Sequence, residues 1–267
     1  MEILRQGFFE CIPDDLIDVV FSFVPYHKKD WLHVKLTCKR FLCVSKKSFD
    51  PSIKNNLAII SACVNGWYDY VLELLKDSRV DPNVSMNSPL KYASKHGHLS
   101  IVKLLMQDSR IDPSYCGNDP LLKACENGHV DIVSELMKDE RVDPSSSENL
   151  AFNIACRENH VMVVQQLVTD VRVKNGYCGL ALSSRLGSKD VVKYLIQLPW
   201  VDPSERDNYA LSMAVSYRSL DVVSALIKDK RVTDGIGYAQ ACQKAADRGF
   251  NDILQILLDN STEHDIN

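Results

Sequence analysis

The segment Ser78-Arg79-Val80-Asp81-Pro82 returns as Ser109-Arg110-Ile111-Asp112-Pro113 and again as Glu140-Arg141-Val142-Asp143-Pro144. Its aliphatic residue continues as Val173, Val201 and Val232, at spacings of 31 residues with one of 28. A second column keeps the same register: Ala62, Ala93, Ala124, Ala155, Ser183, Ala214 and Ala245. Four residues after each comes a third: Gly66, Gly97, Gly128, Asn159, Gly187, Arg218 and Gly249. A period of this length constrains the fold more than any other property. One such unit cannot bury its own apolar face, so the units must stack into a solenoid with a shared core.

Each unit reads as helix, tight turn, helix and extended link. In Pro89-Leu90-Lys91-Tyr92-Ala93-Ser94-Lys95-His96-Gly97, the proline suits a first helical turn, where its missing N–H costs nothing. Leu90 and Ala93 share a face, and Gly97 can take the left-handed conformation that ends a helix. His98 to Met106 then places apolar residues at 101, 102, 104, 105 and 106, a wide stripe at helical spacing. Ser100 and its counterparts Asp69, Asp131, Asp190, Asp221 and Asp252 fall in the first turn, where short acceptors cap the helix or complement its dipole. Asp-Pro closes the unit, because proline pushes the residue before it toward extended geometry.

These columns resemble the ankyrin repeat. Its T-P-L-H-x-A signature is loosely kept in Ser88-Pro89-Leu90-Lys91-Tyr92-Ala93 and Asp119-Pro120-Leu121-Leu122-Lys123-Ala124, and its Gly-His pair in Gly97-His98 and Gly128-His129. Other units are weaker: Leu150 to Ala155 and Tyr209 to Ala214 lack the proline. The resemblance covers residues 55–260, about seven repeats, followed by a polar tail at 261–267. It implies an all-α solenoid of helix-turn-helix units joined by hairpin loops. The period is shorter than the usual ~33 residues, and the loss is expected in the hairpin link. The resemblance also implies a protein-binding surface at the loop tips and at the two residues before the turn glycine. On that basis Lys95, His96, Tyr115, Arg157, Arg185, Leu186, Tyr209 and Tyr217 are the candidate partner-binding residues. The residue pairs before the turn vary widely while the core columns hold, so the fold does not dictate them.

Other chemistries find little support. The chain's 45% hydrophobic and 25% charged residues suit a folded protein, and a net charge of −4 offers no overall basic field for nucleic acid or an anionic membrane. No apolar run reaches membrane-spanning length. Nine cysteines without a CxxC pair or a secretory signal suit reduced thiols in the cytoplasm, or the nucleus. His98, His129 and His160 form a column, but neighbouring units lie about 8–10 Å apart, too far for one metal. Cys63, Cys125 and Cys156 read as small core fillers by the same geometry. No nucleophile elbow, phosphate loop or zinc-protease motif is present, so neither catalysis nor a cofactor is expected. The arginines at 79, 110, 141, 172 and 231 lie two residues after aspartates at 77, 108, 139, 170 and 229. They read as a solvated charge ladder, since the interleaved acids cancel the field a polyanion would need. The fifth unit breaks the pattern: Val173 to Gly179 lacks Asp-Pro, and Trp200 stands in the arginine column.

The first fifty residues do not follow the period. Pro13-Asp14-Asp15 starts a helix that is apolar at Leu16, Ile17, Val20, Phe21 and Val24, and Pro25 stops it. A second helical run follows from Asp30 to Phe41. Ile12-Pro13, Phe23-Val24-Pro25 and Thr37-Cys38-Lys39-Arg40-Phe41 resemble the opening, middle and close of an F-box. That resemblance implies a small helical domain at 1–50 that docks the adaptor subunit of cullin-type ubiquitin ligases through Ile12, Pro13, Leu16, Val20 and Phe21. The chain would then be a ligase's substrate-recognition subunit, a monomer on its own. The other reading leaves these helices as a cap over Leu57, Ile59 and Ile60 of the first unit, since a repeat array needs covered ends. The chain would then be a plain scaffold or inhibitor.

Overall fold

The computed structural model describes residues 53–173 and 176–264, all within the unit 51–267. The F-box-like segment, with Ile12, Pro13, Leu16, Val20 and Phe21, lies outside the described residues.

The 31-residue period becomes pairs of antiparallel helices. The first helices of the pairs are α1 (Ile53–Asn65), α3 (Val84–Lys95), α5 (Tyr115–Glu126), α7 (Ser146–Arg157), α9 (Gly176–Leu186) and α11 (Glu205–Ser216). Their partners are α2 (Tyr68–Leu75), α4 (Leu99–Met106), α6 (Val130–Leu136), α8 (Val161–Leu167), α10 (Lys189–Leu195) and α12 (Leu220–Leu226). A short α13 (Lys230–Thr233) leads into the final pair, α14 (Ile236–Asp247) and α15 (Asn251–His264), so helix continues four residues into the stretch read as a polar tail. First helices pack on first helices and second on second, giving two layers. The first-helix row is the closer packed, because its contact face carries the alanine column. Ala62, Ala93, Ala124, Ala155, Ser183, Ala214 and Ala245 are all fully buried, in equivalent positions along the stack.

The second helices supply most of the apolar mass. Ile101, Val102 and Leu105 of α4 are buried, as are Ile132, Val133 and Leu136 of α6 and Val163, Val164 and Leu167 of α8. Each such side chain contributes roughly 1.5–3 kcal/mol relative to exposure. The residues before α2, α6, α10 and α12 make no side-chain cap, and the first-turn aspartates Asp69, Asp131, Asp190 and Asp221 complement the helix dipole, Asp221 also pairing with Lys189 at 2.7 Å. Gly66, Gly97 and Gly128 end the first helices with φ of +73°, +78° and +73°, as the glycine column requires.

The link differs from expectation. Among the described residues there is no strand, and no hairpin projects from the stack. Val80 and its equivalents are buried, and the prolines that follow at 82, 113, 144 and 203 are buried with them. The aspartate between accepts from the second residue on: Ser114 N–H and hydroxyl reach Asp112 Oδ1 at 3.0 and 2.7 Å. Three successive residues then turn left-handed, at 85–87, 116–118, 147–149 and 206–208. The N–H of the third closes the turn on the carbonyl four residues back, Asn118 on Ser114 at 3.0 Å. A unit short of the usual period has no chain for a projecting finger, so one left-handed turn reverses direction. Met86 at its tip is 65% exposed.

Candidate protein-binding surface

Side-chain bonds to the main chain tie each unit to the next, and they explain the polar columns. His98 Nε2 lies 3.1 Å from Val64 O, His129 Nε2 3.0 Å from Lys95 O and His160 Nε2 3.2 Å from Glu126 O. The three histidines therefore act one per joint, each on a carbonyl of the preceding unit. Each ring also lies over the preceding turn glycine; a Cβ on Gly97 would meet His129 Cε1 at 2.8 Å. The glycine is needed twice, for its positive φ and for the ring beside it. Asn159 and Arg218 take the same conformation, with φ of 58° and 56°, where the following unit carries Ser188 or Phe250 in place of histidine. Arg218 then lies 5.6 Å from the Phe250 ring centre and 2.8 Å from Asp252. Arg248 takes over the missing histidine's bond, donating to Ser216 O at 2.9 Å.

The arginine column is more than a solvated ladder. Arg110 donates to both oxygens of Asp108, and also to Val80 O at 2.9 Å and Leu75 O at 3.3 Å in the preceding unit. Arg141 reaches Ile111 O, and Arg231 reaches Val201 O and Ile196 O. The sequence reading missed this because it counted charges and not donors. An arginine fork has five donors, enough for a carboxylate and a neighbour's carbonyls together. The arginine two residues on, by hydrogen bonding first, holds Asp77 down at about 2 and Asp108, Asp139, Asp170 and Asp229 below their ordinary range. Arg172 lies 3.4 Å from Asp143, so its guanidinium also reaches back one unit.

A column of asparagines also went unread. Asn87, Asn118, Asn149 and Asn208 end the left-handed turns. Three of the side chains reach the following unit: Asn87 donates to Asp112 O at 2.8 Å, Asn118 to Asp143 O at 2.9 Å and Asn208 to Val232 O at 2.7 Å. The recurrence was visible at the unit period, but asparagine in a link reads as loop composition. The thiols of Cys63 and Cys156 are pushed up to about 12 by burial, and Cys125 also rises for that cause. They are core fillers with little nucleophilic character.

The stitches leave the C-terminal ends of the first helices and the outer faces of the links open. Lys95 is half-buried and its carbonyl is taken by His129; His96 is exposed, its ring centre 6.3 Å from that of His98. Burial first, then Lys95, His98 and His129, hold His96 below its ordinary range. Arg157 pairs with Glu158 at 2.7 Å. Arg185 lies 6.0 Å from the Tyr217 ring centre, and Leu186 stands exposed beside it in the chain. These residues follow one another along the ends of α3, α7, α9 and α11. Tyr115 and Tyr209 do not join them: Tyr115 opens a left-handed turn and Tyr209 follows one, at the other ends of their helices. The eight candidates thus fall on two edges of the stack. Trp200 is exposed on the arginine edge, where it replaces the guanidinium that would tie the fourth unit to the fifth.

A family model of ankyrin repeats, in three copies, matches residues 33–115, 107–177 and 152–235. The match spans most of the chain and agrees with the paired helices, so the chain belongs to the ankyrin-repeat family. Comparison with curated proteins finds no match. Ankyrin repeats imply protein–protein interaction. No helix among the described residues is long and apolar enough to cross a membrane.

Proposed function

We propose that this chain is a protein-binding adaptor whose repeat stack holds a partner protein along the ends of its first helices. The observation that carries the reading is a split of roles. The polar residues that recur at the unit period are consumed in stitches between units, while Arg185, Leu186 and Tyr217 vary from unit to unit and face solvent. Large side chains exposed without a structural task are the usual anchors of an interface.

Within that role, the resemblance of residues 12–41 to an F-box supports a substrate-recognition subunit of a cullin-type ubiquitin ligase. A second reading, a plain scaffold or inhibitor, has its own support. The ankyrin match reaches back to residue 33 and so overlaps the Thr37-Cys38-Lys39-Arg40-Phe41 close of the F-box-like segment. Paired charge substitutions Leu16→Glu and Phe21→Glu in the full chain separate the two. The ligase reading expects loss of co-purifying ligase adaptor with unchanged thermal unfolding. No adaptor in the native chain, together with a lower unfolding temperature in the variant, leaves the segment as a cap and ends the ligase reading.

A further inference from the structure

The link arginines, and Arg157 and Arg218, sit on carboxylates. A cluster around the end of α11 does not. Arg185 comes from α9 on one side and lies over the Tyr217 ring at 6.0 Å. Lys244 of α14 and Arg248 at the end of that helix come from the other side. Lys244 Nζ reaches Ser212 Oγ at 2.5 Å and Ser216 Oγ at 3.1 Å, and Arg248 donates to Ser216 O at 2.9 Å. Among the described residues none of these three cations forms an ion pair. Of the acids at the helix ends, Glu158 pairs with Arg157 at 2.7 Å, and Asp247, whose charge a neutral amide leaves in place, accepts from Gln243 at 2.6 Å and forms no ion pair with Lys244 or Arg248. Three cations, two hydroxyls and an exposed tyrosine therefore meet at one helix end, in a chain of net charge −4.

We infer that this cluster is the docking point for an acidic peptide segment of the partner protein. The inference rests on the protein-binding reading above and names the chemistry of what is held. A guanidinium lying over a ring keeps its edge donors for a carboxylate, which it grips in bidentate fashion. Lys244 is held by hydroxyls alone, so an arriving carboxylate gains its charge without breaking an existing pair. Tyr217, 59% exposed, supplies the apolar anchor beside the charges. A long polyanion is the poorer fit, because it would extend past this spot onto a chain of net charge −4. A short acidic segment meets only the local field, which sets where and in what register it lands.

The test uses the full chain and a fluorescein-labelled hexaglutamate peptide, followed by fluorescence anisotropy at low and high salt. Binding is expected, and it should weaken as salt rises. Arg185→Glu should weaken it by about tenfold, the worth of one charge-assisted contact, and Tyr217→Ala should weaken it by a similar factor through loss of the apolar anchor. Lys193→Glu on α10 should leave it unchanged, and thermal unfolding of all three variants should match the native chain. Equal affinity in Arg185→Glu overturns the proposal, as does preference for hexalysine. Tighter binding of a single-stranded oligonucleotide at the same residues overturns the peptide assignment. Absence of hexaglutamate binding overturns it too. If the native chain still captures a partner that Tyr217→Ala loses, the acidic assignment alone falls and the protein-binding reading stands.

Discussion

At the scale of single residues, the turn shows two positions in different units acting as one. Gly128 carries φ of +73° with the His160 ring over it, and a Cβ there would meet His160 Cε1 and Nδ1 at 2.8 Å. Asn159 and Ser188 are the same pair of positions with the bulk exchanged. Gly128→Ala should therefore cost more than the ~1–2 kcal/mol of a left-handed alanine, because the ring must also shift. Adding His160→Ser should recover part of that loss, although the serine alone destabilises by removing the bond to Glu126 O. Urea denaturation of the two single variants and the double variant measures the coupling, and strict additivity would contradict it. The glycine column was plain in the sequence. Its partner was not, because the ring belongs to the next unit, over thirty residues away.

At the scale of elements, the left-handed turn carries strain at its tip and a tie at its end. Met86 is solvent-facing with φ of +62°, so Met86→Gly removes steric cost and should raise stability by about 0.5–1 kcal/mol. Asn118 is buried and joins its unit to Asp143 O, so Asn118→Ala should lower stability by about 1–3 kcal/mol. Opposite signs from these equivalent turns of neighbouring units, read by chemical denaturation, would establish the two roles. Helices, their partners and the buried columns were legible because periodicity records which face meets the core. The shape of the link was not. Asp-Pro announces that the helix stops, but a hairpin and a left-handed turn both begin that way, and the choice depends on chain length and on a side-chain bond to the next unit. The candidate surface was legible in the same partial sense. Variable pairs before the glycine marked the helix ends, and Arg185 with Tyr217 proved to be neighbours. Tyr115 and Tyr209 looked similar by exposure but sit on another edge, which spacing alone does not reveal.

At the scale of the whole molecule, the arginine-bound aspartates make stability depend on pH in the acid range. Their folded values lie below the ordinary ~3.9 of a free aspartate, so their stabilisation is full above that point. It is lost as pH falls through the depressed values, toward about 2 for Asp77. The unfolding temperature is thus expected to hold steady from neutral pH to about 5 and to fall increasingly below about 4. Thermal scans at constant ionic strength would check this; a rise on acidification would contradict it. The same accounting singles out the joint between the fourth and fifth units. Ser188 and Trp200 stand there in place of the histidine and arginine that tie the earlier units. Packing compensates in part, for Phe152 is fully buried against Gly179, where any Cβ would collide with its ring. Among the described residues that junction lacks the histidine and arginine stitches, whereas its neighbours keep at least one of them. Anyone wishing to shorten, splice or exchange parts of this array finds its least-laced joint between the fourth and fifth units, where a cut must re-cover the newly bared Phe152.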